Sequence, residues 1–92
     1  MPEPIEVKHD VPGHTYEAVV DGHRSVCDYE LVDGKMVFTH TFVPPELRGR
    51  GIAEQLVRAA LADARKNGRK VVPACSYVAV FMQRNQEYAD LL

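Results

Sequence analysis

"VPPELRGRGIAEQLVRAAL", residues 43–61, changes character in its middle, and that change organises the chain around it. Pro44 and Pro45 end an apolar run, since proline offers no backbone N–H to a sheet. Arg48, Gly49, Arg50 and Gly51 follow, and from Ile52 the apolar residues recur at helical spacing. Ile52, Ala53, Leu56, Val57, Ala60, Leu61 and Ala64 form one stripe, with Glu54, Gln55, Arg58, Asp63, Arg65 and Lys66 largely off it. Asn67-Gly68 is a helix stop, where glycine accepts a left-handed backbone. The stretch therefore predicts a strand end, a basic glycine turn and a long amphipathic helix.

Upstream, the chain alternates like strands. "IEVKHD" (5–10) is short, and "HTYEAVV" (14–20) is richer in β-branched and aromatic residues. Asp21-Gly22 and Asp33-Gly34 are hairpin signals. Between them "HRSVCDYELV" (23–32) places Ser25, Cys27, Tyr29 and Leu31 on one face, with Arg24, Asp28 and Glu30 on the other. "KMVFTHTF" (35–42), read with period two, places Met36, Phe38, His40 and Phe42 on one face. Downstream, "KVVPAC" (70–75) reads as a short strand and 76–85 as a second helix with Ser76 as N-cap. The tail 86–92 supplies a further turn, with Tyr88, Leu91 and Leu92 packing back. The predicted fold class is α+β: an antiparallel N-terminal meander, a parallel βαβ unit at the C-terminal end of one mixed sheet, and two to three helices.

A chain of 92 residues fits one domain, 1–92. At 46% apolar and 26% charged, with net charge -2, it carries no global field to draw it to nucleic acid or an anionic membrane. The opening residues lack the basic and apolar regions of a signal peptide, and no apolar run approaches the ~20 residues of a membrane span. Cys27 and Cys75 make no disulfide framework, which points to free thiols and a cytoplasmic location. His9, His14 and His23 lack metal-ligand spacing, so no metal is expected.

A helix N-terminus with unsatisfied N–H groups is an anion site, and the 48–53 turn adds glycines for close backbone approach and two arginines for charge. A pyrophosphate suits it. The P-loop pattern is missing, and the dinucleotide pattern fails at Glu54, where its last glycine belongs. Arg48-Gly49-Arg50-Gly51-Ile52-Ala53 instead follows Q/R-x-x-G-x-G/A. It resembles the acyl-CoA signature of the GNAT superfamily of N-acetyltransferases. In particular, "HTFVPPELRGRGIAEQLV" and "PACSYV" are similar to segments of its compact, GNAT-like members. The resemblance spans roughly residues 14–92 and is most specific from His40 to Val57.

The resemblance implies an acetyl-CoA cosubstrate, its pyrophosphate held by the backbone of Arg48, Gly49, Arg50, Gly51, Ile52 and Ala53. It implies a pantetheine arm between the splayed ends of the fourth and fifth strands, near Phe42 and Val43, with the Cys75 strand end close to the acetyl group. The N-terminal helices of larger relatives are absent. The implied function is transfer of an acetyl group from CoA to an amine. A protein amine is favoured as acceptor, because so small a scaffold offers few walls for a small-molecule pocket. The alternatives are a non-catalytic acyl-CoA-binding module and, last, a phosphate-binding interaction domain.

At pH 7 a lysine amine is neutral in roughly one molecule in 2,500, an α-amine in about one in ten, so a lysine acceptor demands a base. His40, near the end of its strand, is the candidate base; its structural alternative is a hydrogen-bonded core histidine. Cys75 directly precedes a helix N-terminus, where thiol pKa values fall. It is either a nucleophile or thioester-orienting group, or a small apolar residue lining the channel. Cys27, Tyr77 and Phe81 are read as core. Arg65, Lys66, Arg69 and Lys70 surround a helix C-terminus and are read as structural.

Overall fold

Two Asp-Gly pairs set the sheet. In the computed structural model, which describes residues 4–92, Asp21 and Gly22 have φ of 51° and 78°, and Asp33 and Gly34 have 52° and 78°. Positive φ at both central residues is what a tight hairpin turn matching the strand twist requires. The reading of Met1, Pro2 and Glu3 lies outside the described residues.

The strands are β1 (Lys8–Asp10), β2 (Thr15–Val20), β3 (His23–Val32), β4 (Lys35–Phe42) and β5 (Val71–Pro73), in spatial order β1-β2-β3-β4-β5. The first four pair antiparallel and β4 pairs β5 in parallel. The crossover between β4 and β5 is the helix α1 (Ile52–Lys66); α2 (Ser76–Arg84) follows β5. The expected mixed sheet is therefore present. The first strand is shorter than 5–10: Ile5 already leaves the sheet, its N–H donating to Gln55 Oε1 at 3.0 Å. The fifth strand is likewise three residues, ending at Pro73.

Tyr16 faces Cys27, Tyr29 faces Phe38, and Leu31 faces Met36, so one sheet face presents a continuous row to α1. Leu56, Val57, Ala60, Leu61 and Ala64 close on it with no measurable exposure. Each large apolar side chain so buried stabilises the fold by about 1.5–3 kcal/mol. From α2, Val78, Phe81 and Met82 join the same core. Arg58 of α1 lies over the Phe81 ring at 5.1 Å, which ties the two helices together. Phe81 is core as expected, but Tyr77 is 40% exposed: three positions after the first-turn junction, Val78 takes the inward place instead. Leu31, although on the inward side, lies at the strand end beyond the helix cover and is exposed.

The main departure lies in β4. Val26 pairs Phe42, Cys27 pairs Thr41 and Asp28 pairs His40, but Tyr29 then pairs Phe38. Thr39 is the extra residue of a β-bulge. One inserted residue reverses the alternation. Phe38 and Thr41 thus face α1, while His40 and Phe42 turn to the opposite face with Val26 and Asp28. The expectation of one face for Met36, Phe38, His40 and Phe42 holds only up to the bulge.

The chain end also differs in detail. Cys75, not Ser76, is the N-cap of α2, with extended backbone and no side-chain capping bond. Residues Gln86–Leu91 supply the further turn, as a 3-10 helix. Leu91 is buried and Tyr88 packs on the core, whereas Leu92 is exposed. In the basic cluster Arg65 pairs Asp90 at 2.6 Å, Lys70 donates to the Asp90 carbonyl at 2.8 Å, and Arg69 donates to the Gly34 carbonyl at 3.5 Å, a structural role for these three.

Candidate functional site

The parallel pair β4–β5 lasts three residues, Met36 with Val71, Val37 with Val72, and Phe38 with Pro73. Two local features then separate the strands. Pro73 has no N–H to continue a ladder, and the bulge at Thr39 bends β4. Ala74 N–H donates back to the Val72 carbonyl at 3.0 Å, and Cys75 N–H closes the fork on the Phe38 carbonyl at 2.7 Å. Beyond that point β4 continues to Phe42 while the other chain enters α2. The two chains thus part beyond Phe38 into a fork, or slot, with the edge of β4 on one side and the start of α2 on the other. An unpaired strand edge offers alternating N–H and C=O groups to any peptide-like amide that enters.

At the apex of the slot, three side chains converge from three elements. Thr41 Oγ1 lies 3.5 Å from Cys75 Sγ and 3.9 Å from Cys27 Sγ. Cys27 is fully buried, and burial pushes its thiol up to about 12 despite the Thr41 hydroxyl. Cys75 is half-buried. Burial alone would raise its thiol too, but the Thr41 hydroxyl and the backbone groups of Val78, Tyr77 and Thr41 outweigh it and bring the thiol below its ordinary value. The Thr41 hydroxyl is the largest of these lowering causes, and the N–H groups at the helix start add to it.

The glycine turn stands at the same end of β4. After a short 3-10 turn at Pro45–Leu47, which buries Leu47, Gly49 has φ 82°. Gly51, at φ 77°, is the N-cap of α1. Both positions are left-handed, and a Cβ there would be strained. A glycine N-cap has no side chain to bond the first-turn N–H groups, and the positive dipole end lies at this turn. The arginines are held rather than loose: Arg48 Nε donates to the Val43 carbonyl at 3.1 Å and Arg50 pairs Asp21 at 2.8 Å. A cleft of about 790 Å³ borders the turn, its lining including Ile5, Glu6, Gly49, Arg50, Gly51 and Glu54. Its lining includes neither Thr41 nor Cys75.

The structure thus brings Cys75 against Thr41 near the end of β4, and chain continuity sets Phe42, Val43 and the Arg48–Ala53 turn after that strand end. His40 is not with them. It is exposed on the opposite face, in register with Asp28 and stacked on Phe42 with ring centroids 6.4 Å apart. Thr41 escapes sequence reasoning because strict alternation puts it on the other face. The only hint is a polar Thr-His-Thr run late in an otherwise apolar strand.

A second polar cluster lies under α1 beside β1. Tyr16 OH donates to Asp63 Oδ2 at 2.8 Å, His9 Nδ1 lies 3.5 Å from the same oxygen, and His9 Nε2 bonds Tyr29 OH at 2.6 Å. The His9 ring stacks on Tyr16 at 4.1 Å. Among the described residues no group of three or more His, Cys, Asp or Glu side chains is arranged to hold a metal. No described helix is long and apolar enough to cross a membrane.

This geometry has known counterparts. The family model for GCN5-related N-acetyltransferases matches residues 15–91. Protein NATD1 of chicken and of human are each 35% identical over 85 residues, covering 89% of this chain and 77% and 75% of theirs. The solution structure of a GCN5-like protein from Staphylococcus aureus, 26% identical, superposes with a TM-score of 0.76 over 95% of this chain and 86% of its own. With the forked strands and the glycine-capped helix already in place, these matches mean that the chain belongs to the GCN5-related N-acetyltransferase family.

Proposed function

We propose that residues 1–92 form one acetyltransferase domain that moves an acetyl group from acetyl-CoA to an amine. The observation that carries this reading is the juxtaposition of the β4–β5 slot with an uncapped helix start on the same strand end. Acetyl-CoA supplies an acetyl group already activated as a thioester. The backbone of Arg48 to Ala53 holds its pyrophosphate by N–H groups and helix dipole. The β4 edge near Phe42 and Val43 pairs the amides of its pantetheine arm.

Cys75 stands where the thioester ends. Ionised Cys75 attacks the carbonyl carbon and CoA leaves as a thiolate; the neutral acceptor amine then attacks the acetyl, Cys75 leaves as a thiolate, and the amine's proton passes to the CoA thiolate. The α2 start and the neighbouring backbone N–H groups polarise the carbonyl oxygen. The acceptor amine enters neutral, because His40, the candidate base, is exposed on the face opposite Cys75. An open sheet face with few walls suits an amine carried on a protein.

The separation of His40 from Cys75 supports a second reading, a CoA-binding module that does not turn over. Titration calorimetry with acetyl-CoA, CoA and ATP tests the common ground. Saturable binding of acetyl-CoA with ATP much weaker is expected, and no binding at millimolar ligand removes both readings. Acetylation of a peptide mixture, lost in Cys75→Ala with affinity retained, then selects the enzyme; binding without turnover selects the module.

A further inference from the structure

Thr41 stands between the chain's two sulfurs, and its hydroxyl has one proton to give. We propose that Thr41 is the positioning residue of Cys75, turning that proton to the Cys75 sulfur when it is ionised and to Cys27 when it is not. This rests on the reading of Cys75 as the acetyl acceptor, but its evidence is the placement of three side chains.

The first link is the bulge. Without the inserted Thr39, His40 would point at the slot apex and Thr41 would face away. With it, Thr41 pairs Cys27 across the strands and reaches Cys75, at 3.9 Å and 3.5 Å. The second link is the inequality of the two sulfurs. Cys27 is sealed in the core, where ionisation is strongly disfavoured, so it offers the hydroxyl only a neutral, weakly accepting sulfur. Cys75 is half-buried at the slot, and as a thiolate it accepts a charge-assisted hydrogen bond, roughly twice as strong as a neutral one. The hydroxyl therefore prefers Cys75 in its ionised form, and Cys27 serves as the resting partner that keeps the rotor aimed into the core.

The surroundings leave this role to Thr41. The N–H groups of Tyr77 and Val78 at the α2 start also face the Cys75 sulfur, but the helix fixes them in both protonation states. The charged groups near this corner are Asp28 on β3, which acts on Cys27, and Glu54 and Arg58 on α1, which act on Tyr77. The hydroxyl is the element that can answer a change of charge by rotation.

The test needs no acyl-CoA. Alkylation of Cys75 by iodoacetamide, assigned by peptide mass spectrometry from pH 5 to 10, reads thiolate directly. Thr41→Val is expected to slow the reaction at pH 7 about tenfold, the loss of one hydrogen bond to a charged group, and to move the pH midpoint upward. Thr41→Ser is expected to restore both, because it keeps the hydroxyl and loses the methyl. A Thr41→Val midpoint equal to wild type overturns the proposal, and so does a Thr41→Ser variant that behaves like valine. Should valine not fold, as judged by circular dichroism, Thr41→Ala gives the same readout against serine. A protein that binds no acetyl-CoA but shows the hydroxyl-dependent midpoint would lose the acetyltransferase reading and keep the Thr41–Cys75 couple.

Discussion

The two polar clusters of this molecule lie on the same side of one sheet and are built on opposite terms. At the β1 edge, His9, Tyr16, Tyr29 and Asp63 are joined by oxygen and nitrogen contacts of 2.6, 2.8 and 3.5 Å, so that both phenols and both imidazole nitrogens have partners. At the slot, Cys27, Thr41 and Cys75 share one hydroxyl proton over 3.5 and 3.9 Å. A satisfied buried network fixes a packing arrangement, whereas a half-satisfied one keeps a group ready to change state. The first cluster docks β1 and α1. The second adjoins the place where the sheet opens.

Alkali should give the largest separation between the clusters and the solvated surface. Burial raises the Tyr16 phenol, helped by the Asp63 carboxylate; burial raises Tyr29, with Arg69 opposing; burial pushes Cys27 up to about 12. The folded protein thus keeps protons that an unfolded chain loses near pH 9 for the thiol and 10 for the phenols. Stability is fully present below about pH 9 and drains as pH rises further, by at most about 1.4 kcal/mol per unit for a group that keeps its proton only in the folded state. Urea unfolding across this range should show the slope, and Tyr16→Phe or Cys27→Ala should each flatten it. An unchanged slope in both variants would mean that these protons are not linked to folding.

Asp63→Ala should come next, costing about 2 kcal/mol in urea unfolding because the buried Tyr16 hydroxyl loses its acceptor. Acetyl-CoA affinity of the folded fraction should stay within about twofold, since the α1 start is left intact. Cys75→Ala should invert that pattern: acetyl transfer at least tenfold lower, about 1.4 kcal/mol on the barrier, with an unfolding midpoint close to wild type. Both effects falling on the same measurement would erase the contrast. The smallest change is expected at Gly49→Ala, where a Cβ meets open space but φ is 82°. Backbone strain there costs about 1 kcal/mol, and acetyl-CoA binding measured by calorimetry should weaken several-fold.

What the sequence makes legible follows from what is local. The Asp-Gly turns, the stripe from Ile52 to Ala64 and the basic glycine turn each state their conformation within a few residues, and each forms as spaced. Cys75 could be picked out because a strand end and a helix start meet there in the chain itself. Thr41 could not, since period-two reasoning presumes an unbroken ladder and the Thr39 bulge exists only through pairing with β3. The same limit hid the β1 cluster: His9, Tyr29 and Asp63 come from three elements, and only the register of β1 on β2 brings them within reach. Residue preference favours Ser76 as the N-cap, while the hydrogen bond from Cys75 N–H to the Phe38 carbonyl fixes the junction one residue earlier.

The fork between β4 and β5 has a consequence for how the chain can be made. Parallel pairing across a crossover joins distant parts of the chain and forms late. Until Val71–Pro73 arrives, β4 is the bare margin of a four-stranded meander along its whole length, Met36–Phe38 included, with no proline inside it, whereas afterwards only the edge beyond Phe38 stays open. Such a margin recruits other copies. A chain cut before Val71 should therefore keep its hairpins and self-associate through β4, so the three residues of β5 act as a guard for the strand they only briefly accompany.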